Sequence, residues 1–335
     1  MNEINYIQVL ILALIQGAAE LLPVSSSAHV ILVAKLMGLK PKSSDFIFLL
    51  VMLHTGTMFA VIYYFWPRWR WLFSRNSSSP LTTQASPYPG VSRGQFLKMI
   101  VVATACTGAL GYGLKIFIER IVLIGMLHHE KAEVEDLFDS LPLIAVSLFV
   151  VGIFVIVAGL AATPQKIGEN RENRGTNLGP LASLFSLLPP VRRFSNPNST
   201  SPLSARTSIW IGLIQGLCLP FRGFSRSGAT ISMALLCGAE RKLAEDFSFA
   251  LAIVLTPAVI VRALYRLLRD PNWTSETRLI DLIMPGLVGM VFSFVAGLLA
   301  LKILSAALEK GHWKYFGYYC IFASLMVLAA ALGGY

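Results

Sequence analysis

Two short stretches hold the residue types in this chain that could do chemistry together. The first runs from Gln16 to His29 and carries Gln16, Glu20, Ser25, Ser26, Ser27 and His29 inside an otherwise apolar segment; the second carries Arg222, Ser225, Arg226, Ser227, Gly228 and Thr230. Gln16 and Glu20 are four apart and share a helical face, while Ser26 and His29, three apart, point into the same space. Hydroxyl, imidazole and carboxylate are the nucleophile, base and orienting group that hydrolytic transfer needs. Arg226 offers a planar fork matched to phosphate oxygens, and Gly228 lets a ligand approach the backbone. Helices starting after Ser25 and Ser225 would each present free N–H groups and about half a positive charge, which makes an anion site. A diphosphate suits two such ends facing one cavity. Taken alone, a serine run beside a histidine reads as a helix cap with a bonded imidazole; the matching polar stretch in the second half shifts the balance to a site.

The elements that must position these residues follow from composition. Of 335 residues 55% are hydrophobic and 14% charged, with mean hydropathy +0.65, which indicates an integral membrane protein, since soluble domains carry about 25% charged residues. The net charge of +10 marks cytoplasmic loops and membrane-lipid contact rather than nucleic-acid binding. The four cysteines lie in apolar surroundings without CxxC spacing, so neither a disulfide framework nor a zinc site is expected. Met1 to Glu3 lacks the basic start of a signal peptide, so the first apolar segment is expected to remain in the fold.

The fold class expected is an all-α integral membrane protein with six transmembrane helices and two re-entrant helical hairpins in an inverted-topology repeat. It forms one membrane domain over 1–335. Repeat one, 1–162, holds a re-entrant hairpin at 5–38 and spans at 46–66, 99–118 and 141–162. A Pro/Ser/Asn-rich linker covers 163–207. Repeat two, 208–335, holds a hairpin at 209–238 and spans at 247–268, 282–304 and 315–332. The repeat rests on matches at an offset of about two hundred residues: Gln16 with Gln215, Ser25 to Ser27 with Ser225 to Ser227, Gly38 with Gly238, Asp45 and Phe46 with Asp246 and Phe247, Tyr64 with Tyr265. Three spans per half is odd, so the halves enter the membrane from opposite sides. Pro23 and Pro220 break the hairpins, and Ser25 and Ser225 are expected to cap the returning helices. Arginine-rich loops at 67–98 and 163–207 point to the cytoplasm and the acidic 119–140 loop to the outside, placing both termini outside.

Glu20 to His29 and Gly223 to Thr230 resemble the two signature segments of the undecaprenyl-diphosphate phosphatase family, the bacitracin-resistance proteins of bacterial inner membranes. The likeness extends through Asp246 to Phe249 and over most of the chain. It implies a hydrolase that removes the terminal phosphate of a polyprenyl diphosphate lipid, regenerating the peptidoglycan carrier, in a site open to the periplasm. It makes Glu20, Ser26, His29 and Arg226 catalytic, with Ser26 the nucleophile and Arg226 the phosphate clamp, and it lines the phosphates with Ser25, Ser27, Ser225, Ser227 and Thr230. A divalent cation, Mg or Ca, is the cofactor it brings, without assigned ligands, and a homodimer is an assembly it allows. Three departures stand out. Gln16 replaces the usual glutamate, so a metal or proton role of that carboxylate is lost or moved. Ala28 replaces glycine. Phe221, Arg222 and Gly223 replace a Pro-Gly, and Arg222 either adds a cation for the diphosphate or contacts the interface.

Other features carry less. His128, His129, Glu130 and Glu133 read as a solvated loop rather than a metal site, His54 as a packed or capped residue within its span, and His312 as interfacial. Trp66, Trp69 and Trp71 read as an interfacial belt, and Arg262, Arg266 and Arg269 as snorkelling anchors. An alternative from another class is a polyprenyl-phosphate flippase or anion transporter using the same two tips. Transport would need Arg226 and the helix ends but no nucleophile. A soluble-faced acid phosphatase is disfavoured, because Ser232 stands where its downstream histidine should be.

Overall fold

The computed structural model describes residues 5–41, 43–73, 86–88, 90–119, 140–162, 204–269 and 276–333, and among these every regular element is a helix. Six are long and apolar enough to cross a membrane. They are α3 (Ser44–Trp69), α4 (Arg93–Phe117), α5 (Leu141–Ala161), α8 (Arg241–Arg269), α9 (Glu276–Glu309) and α10 (Trp313–Leu332). Most run several residues beyond their apolar cores, because backbone hydrogen bonding continues after side-chain hydrophobicity falls. The chain is thus a multi-pass membrane protein.

Four shorter helices form two pairs. α1 (Tyr6–Leu21, 16 residues) starts at a capping box between Asn5 and Gln8 and stops at the turn containing Pro23. α2 (Ser26–Leu36, 11 residues) follows and ends where Gly38 adopts φ +71°. α6 (Ala205–Cys218) and α7 (Arg226–Leu236) repeat the design, with a closing Gly238 at φ +83°. All four fall short of the roughly 20 residues that a crossing needs.

With lipid outside, helices gain little from burying apolar surface against each other, so close van der Waals contact has to hold them. Glycines supply it. A Cβ on Gly17 of α1 would lie 2.6 Å from the Ser293 carbonyl oxygen of α9, and one on Gly317 of α10 would lie 2.5 Å from the Gly152 carbonyl oxygen of α5. The principal pairings are α1 with α9, α4 with α6, α3 with α9, and α5 with α10.

One charge cluster has its acids sealed inside while its arginine stays partly exposed. Arg68, near the end of α3, reaches Glu245 at 3.1 Å and Asp246 at 2.8 Å, both at the start of α8 and almost fully buried. Tyr88 donates to Asp246 and Ser305 to Glu245, while the Arg68 guanidinium lies 4.6 Å from the Phe65 ring centre. The tryptophan belt is accordingly only partly as expected. Trp66 is exposed, but Trp69 stacks on Phe65 and Trp71 packs edge-on to Phe96, both buried, because the chain turns inward after Pro67 to cover this cluster. The His128 to Glu133 group and nearly all of the 163–207 linker lie outside the described residues.

Two stability outcomes follow. Gly317→Leu should lower the thermal midpoint in detergent, at a cost of about 1–3 kcal/mol for overpacking, whereas Gly113→Ala, with open space beyond its Cα, should leave it nearly unchanged. Arg68→Leu leaves two buried acids with no cation between them and should cost about 3–5 kcal/mol. Thermal unfolding followed by size-exclusion chromatography measures both, and an unshifted Arg68→Leu midpoint would contradict the structural role of the cluster.

Candidate functional site

The turns that end α1 and α6 touch each other. Ser227 Oγ donates to the Leu22 carbonyl (3.3 Å), and Gly223 N–H reaches Ser27 Oγ at 3.4 Å. A Cβ on Gly228 would meet Pro23 at 3.2 Å, so the α7 backbone lies directly on the first turn. Gly223 itself sits at φ +99°, and a Cβ there would lie 2.5 Å from the Ile144 carbonyl oxygen of α5. Only glycine satisfies both the dihedral and the space.

The two returning helices begin differently. Ser225 caps α7, its Oγ accepting from Gly228 N–H at 3.2 Å. The capping expected of Ser25 is not found. Ser25 occupies φ +66°, the one described non-glycine residue at positive φ, and its hydroxyl turns to Ser27 Oγ (3.3 Å), leaving α2 with no side-chain cap. Such a conformation costs of order 1–3 kcal/mol and persists only where its surroundings impose it. Its effect is to leave the first N–H groups of α2 open to an anion.

Glu20, at the end of α1, is the centre of the contact. Its Oε1 accepts from Arg226 Nη2 at 3.0 Å, and its Oε2 accepts from Ser26 Oγ at 2.5 Å and from Gln16 Nε2 at 3.3 Å. The carboxylate therefore joins a serine of its own half to an arginine 206 residues away. Ser26, His29, Arg226 and Glu20 all keep partial exposure, so the cluster is not sealed from its surroundings.

His29 is arranged differently from the expected nucleophile, base and orienter. Its Nδ1 lies 2.8 Å from the Ser25 carbonyl, which can only accept, so Nδ1 carries the proton. In the neutral ring Nε2 then accepts from the Tyr319 hydroxyl at 2.8 Å, and the two rings stack at 9°. The partner of the Ser26 hydroxyl is thus the Glu20 carboxylate and not the imidazole. Tyr319 was not singled out in the sequence, being one aromatic residue in an apolar helix with no local polar neighbour to mark it.

His54 corrects an expectation. It is not simply packed within its span: its Nδ1 lies 2.9 Å from Gln16 Nε2 and 3.8 Å from Glu20 Oε2. Of the second stretch, Arg222 keeps partial exposure beside the tip, and Ser225 and Ser227 are buried within the turn, 3.4 Å apart. Thr230 is fully buried, its Oγ1 taken by the Arg226 carbonyl (2.8 Å) and by Ser248 Oγ (2.5 Å). It stiffens the turn that carries Arg226.

The residues do not fit a resident divalent cation. Glu20 is the only carboxylate in the cluster, three donors already address its oxygens, and Gln16 turns N–H groups rather than lone pairs toward it. Among the described residues no three acid, histidine or cysteine side chains gather as a metal site. Arg226 and Ser26 are partly exposed donors beside Glu20, which suits a polyanion that could take Arg226 from it.

Known proteins resemble the chain over nearly its whole length. The chain is 43% identical over 333 residues to undecaprenyl-diphosphatase 2 of Acinetobacter baylyi, covering 98% of this chain and 99% of that one. It is 29% identical over 332 residues to the undecaprenyl-diphosphatase of Carboxydothermus hydrogenoformans, covering 98% of each. It is likewise 29% identical over 331 residues to that of Korarchaeum cryptofilum, covering 96% of this chain and 98% of that one. The family described as Bacitracin resistance protein BacA matches residues 9–326, a stretch that contains both turns and every residue that meets at Glu20, and the chain belongs to that family.

Proposed function

We propose that this chain is a membrane phosphatase that hydrolyses undecaprenyl diphosphate to undecaprenyl phosphate and inorganic phosphate, recycling the peptidoglycan lipid carrier and conferring bacitracin resistance. Family membership and the names of its relatives support the activity. The observation that carries the mechanism is Glu20 holding the Ser26 hydroxyl on one oxygen and the Arg226 guanidinium on the other.

The steps follow from that geometry. An incoming diphosphate competes with Glu20 for Arg226, and its terminal phosphoryl group settles against the guanidinium and the uncapped N–H groups of α2. Ser26 Oγ forms a bond to the terminal phosphorus as the bridging P–O bond breaks, and its proton passes to Glu20. Undecaprenyl phosphate departs. Water then attacks the phosphoserine, its proton going to His29 Nε2 as that nitrogen gives up the Tyr319 hydroxyl; the P–Oγ bond breaks, Glu20 returns a proton to Ser26, inorganic phosphate leaves, and His29 releases its extra proton to solvent and recovers the Tyr319 bond. Ser25, Ser27, Ser225, Ser227 and Gly228 shape the phosphate pocket, with Arg222 an accessory cation at its edge. No step is assigned to a magnesium or calcium ion.

The finer architecture belongs to the same reading. α1–α2 and α6–α7 are two re-entrant hairpins of an inverted-topology repeat. In support, α1 packs on α9 as α6 packs on α4, and Gly38 and Gly238 end equivalent helices at positive φ. Arg68 at the end of α3 and Arg70 just after it, with Lys310 between α9 and α10 and Lys314 in the first turn of α10, mark the cytoplasmic side. The protein then lies in the bacterial inner membrane with its site open to the periplasm, as a monomer or homodimer.

Phosphate release by the purified chain in detergent, from C55, C15 and soluble diphosphates, tests the function. Release from the lipid substrates is expected, and lipid binding without release would favour a flippase or transporter. Arg226→Ala and His29→Ala should each lower turnover at least about a hundredfold while the thermal midpoint stays near that of the parent, since loss of one charge-stabilising donor costs about 2.7–4 kcal/mol; near-normal release by either would remove its role. Tyr319→Phe keeps the stacked ring and loses the hydrogen bond, so kcat should fall roughly tenfold with KM little changed. An unaltered kcat would make Tyr319 a packing residue only.

A further inference from the structure

We propose that His54 is a positioning residue for the phosphoryl transfer, acting through the Gln16 amide to hold Glu20 in line with Ser26. The proposal rests on the phosphatase reading for its catalytic meaning, but its geometry stands apart from it.

Gln16 is buried, 1% exposed, and its amide nitrogen lies within reach of two groups at once: Glu20 Oε2 at 3.3 Å and His54 Nδ1 at 2.9 Å. A carboxylate oxygen can only accept, so the amide must turn its NH2 toward Glu20. The reversed amide would set its carbonyl oxygen against the carboxylate. With one N–H directed at Glu20, the other meets His54 Nδ1, which must therefore carry a lone pair. The ring proton sits on Nε2, and His54 is a neutral acceptor.

This chain of bonds has a mechanical consequence. The Glu20 carboxylate can rotate about its terminal torsion, and only with its plane fixed does Oε2 stay on the Ser26 hydroxyl. Arg226 anchors the Oε1 side, yet that anchor is the one a diphosphate takes away. Gln16 is then the remaining side-chain donor besides Ser26 itself, and His54 keeps the Gln16 amide from turning over. An ionised glutamate at position 16 could not do this, because two carboxylates would meet where donor now meets acceptor. His54 comes from α3, so the first span is tied to the tip by this pair.

The test uses the full chain in detergent with C15 diphosphate as probe. His54→Leu should lower kcat roughly ten- to a hundredfold, the range for losing a hydrogen bond that serves a charged group, with KM within about twofold. In His54→Asn the side-chain oxygen stands where Nδ1 stood, and it should recover most of the rate. Gln16→Leu should match His54→Leu, and the double variant should lose no more than either alone. A parental rate in His54→Leu, or losses that multiply, would overturn the proposal. Nitrogen-15 histidine NMR supplies a readout without turnover: the resonance missing from His54→Asn should be that of a neutral ring protonated on Nε2. A ring protonated on Nδ1 overturns the proposal whatever the kinetics, and this measurement keeps the test decisive if leucine is not tolerated. A parent chain that binds the probe and releases no phosphate would sink the phosphatase reading and the catalytic meaning of His54 with it, while the tautomer still decides the amide–imidazole bond.

Discussion

A carboxylate inside an apolar bundle must be met by donors, and around Glu20 that requirement organises the molecule. Unpaired, it would cost several kcal/mol; paired, it draws in an arginine from the second half, a serine from the far side of a proline turn and an amide from its own helix. Each partner places a demand on the backbone. Arg226 reaches Glu20 only because Gly228 lets α7 lie against Pro23 and Gly223 lets the preceding turn lie against α5. Ser26 reaches it only because Ser25 accepts a left-handed conformation.

The molecule holds two acid–arginine clusters, and their difference is informative. Around Arg68, Glu245 and Asp246 the acids are sealed by Tyr88, Ser305 and aromatic rings, so the charges serve to fix α3 against α8. Around Glu20 and Arg226 both side chains keep part of their surface open. Both arginines are partly exposed, Arg68 at 28% and Arg226 at 23%, so the clusters differ at the acid: Glu245 and Asp246 are 3% and 0% exposed, whereas Glu20 is 17% exposed. The same pairing chemistry thus meets a fully buried acid pair in one place and a partly exposed acid in the other.

Glycine-mediated contacts set the precision of the open cluster. Because lipid offers no strong drive for helices to associate, the α1 to α9 and α5 to α10 contacts depend on backbones meeting at Gly17, Gly152 and Gly317. α10 also carries Tyr319 to His29 and Cys320 to the Pro23 carbonyl (3.1 Å), so helix packing and site geometry are one constraint seen from two sides.

Much of this was legible in the residues alone. Apolar run lengths gave six crossing helices, because the membrane imposes one length scale, and proline and glycine punctuation gave the paired short helices. Local spacing put Gln16 with Glu20, and the polar character of both stretches singled out Arg226; the spacing of Ser26 and His29 did not translate into a bond between them. Tertiary structure alone decided what each group touches. That His54 belongs with Gln16, that Tyr319 holds His29, that Thr230 turns inward and that Glu20 rather than His29 receives the Ser26 hydroxyl all depend on helices far apart in the chain. Periodicity reports which face of a helix a residue occupies; it carries no information about which distant helix that face will meet, because that is settled by the packing of the whole bundle.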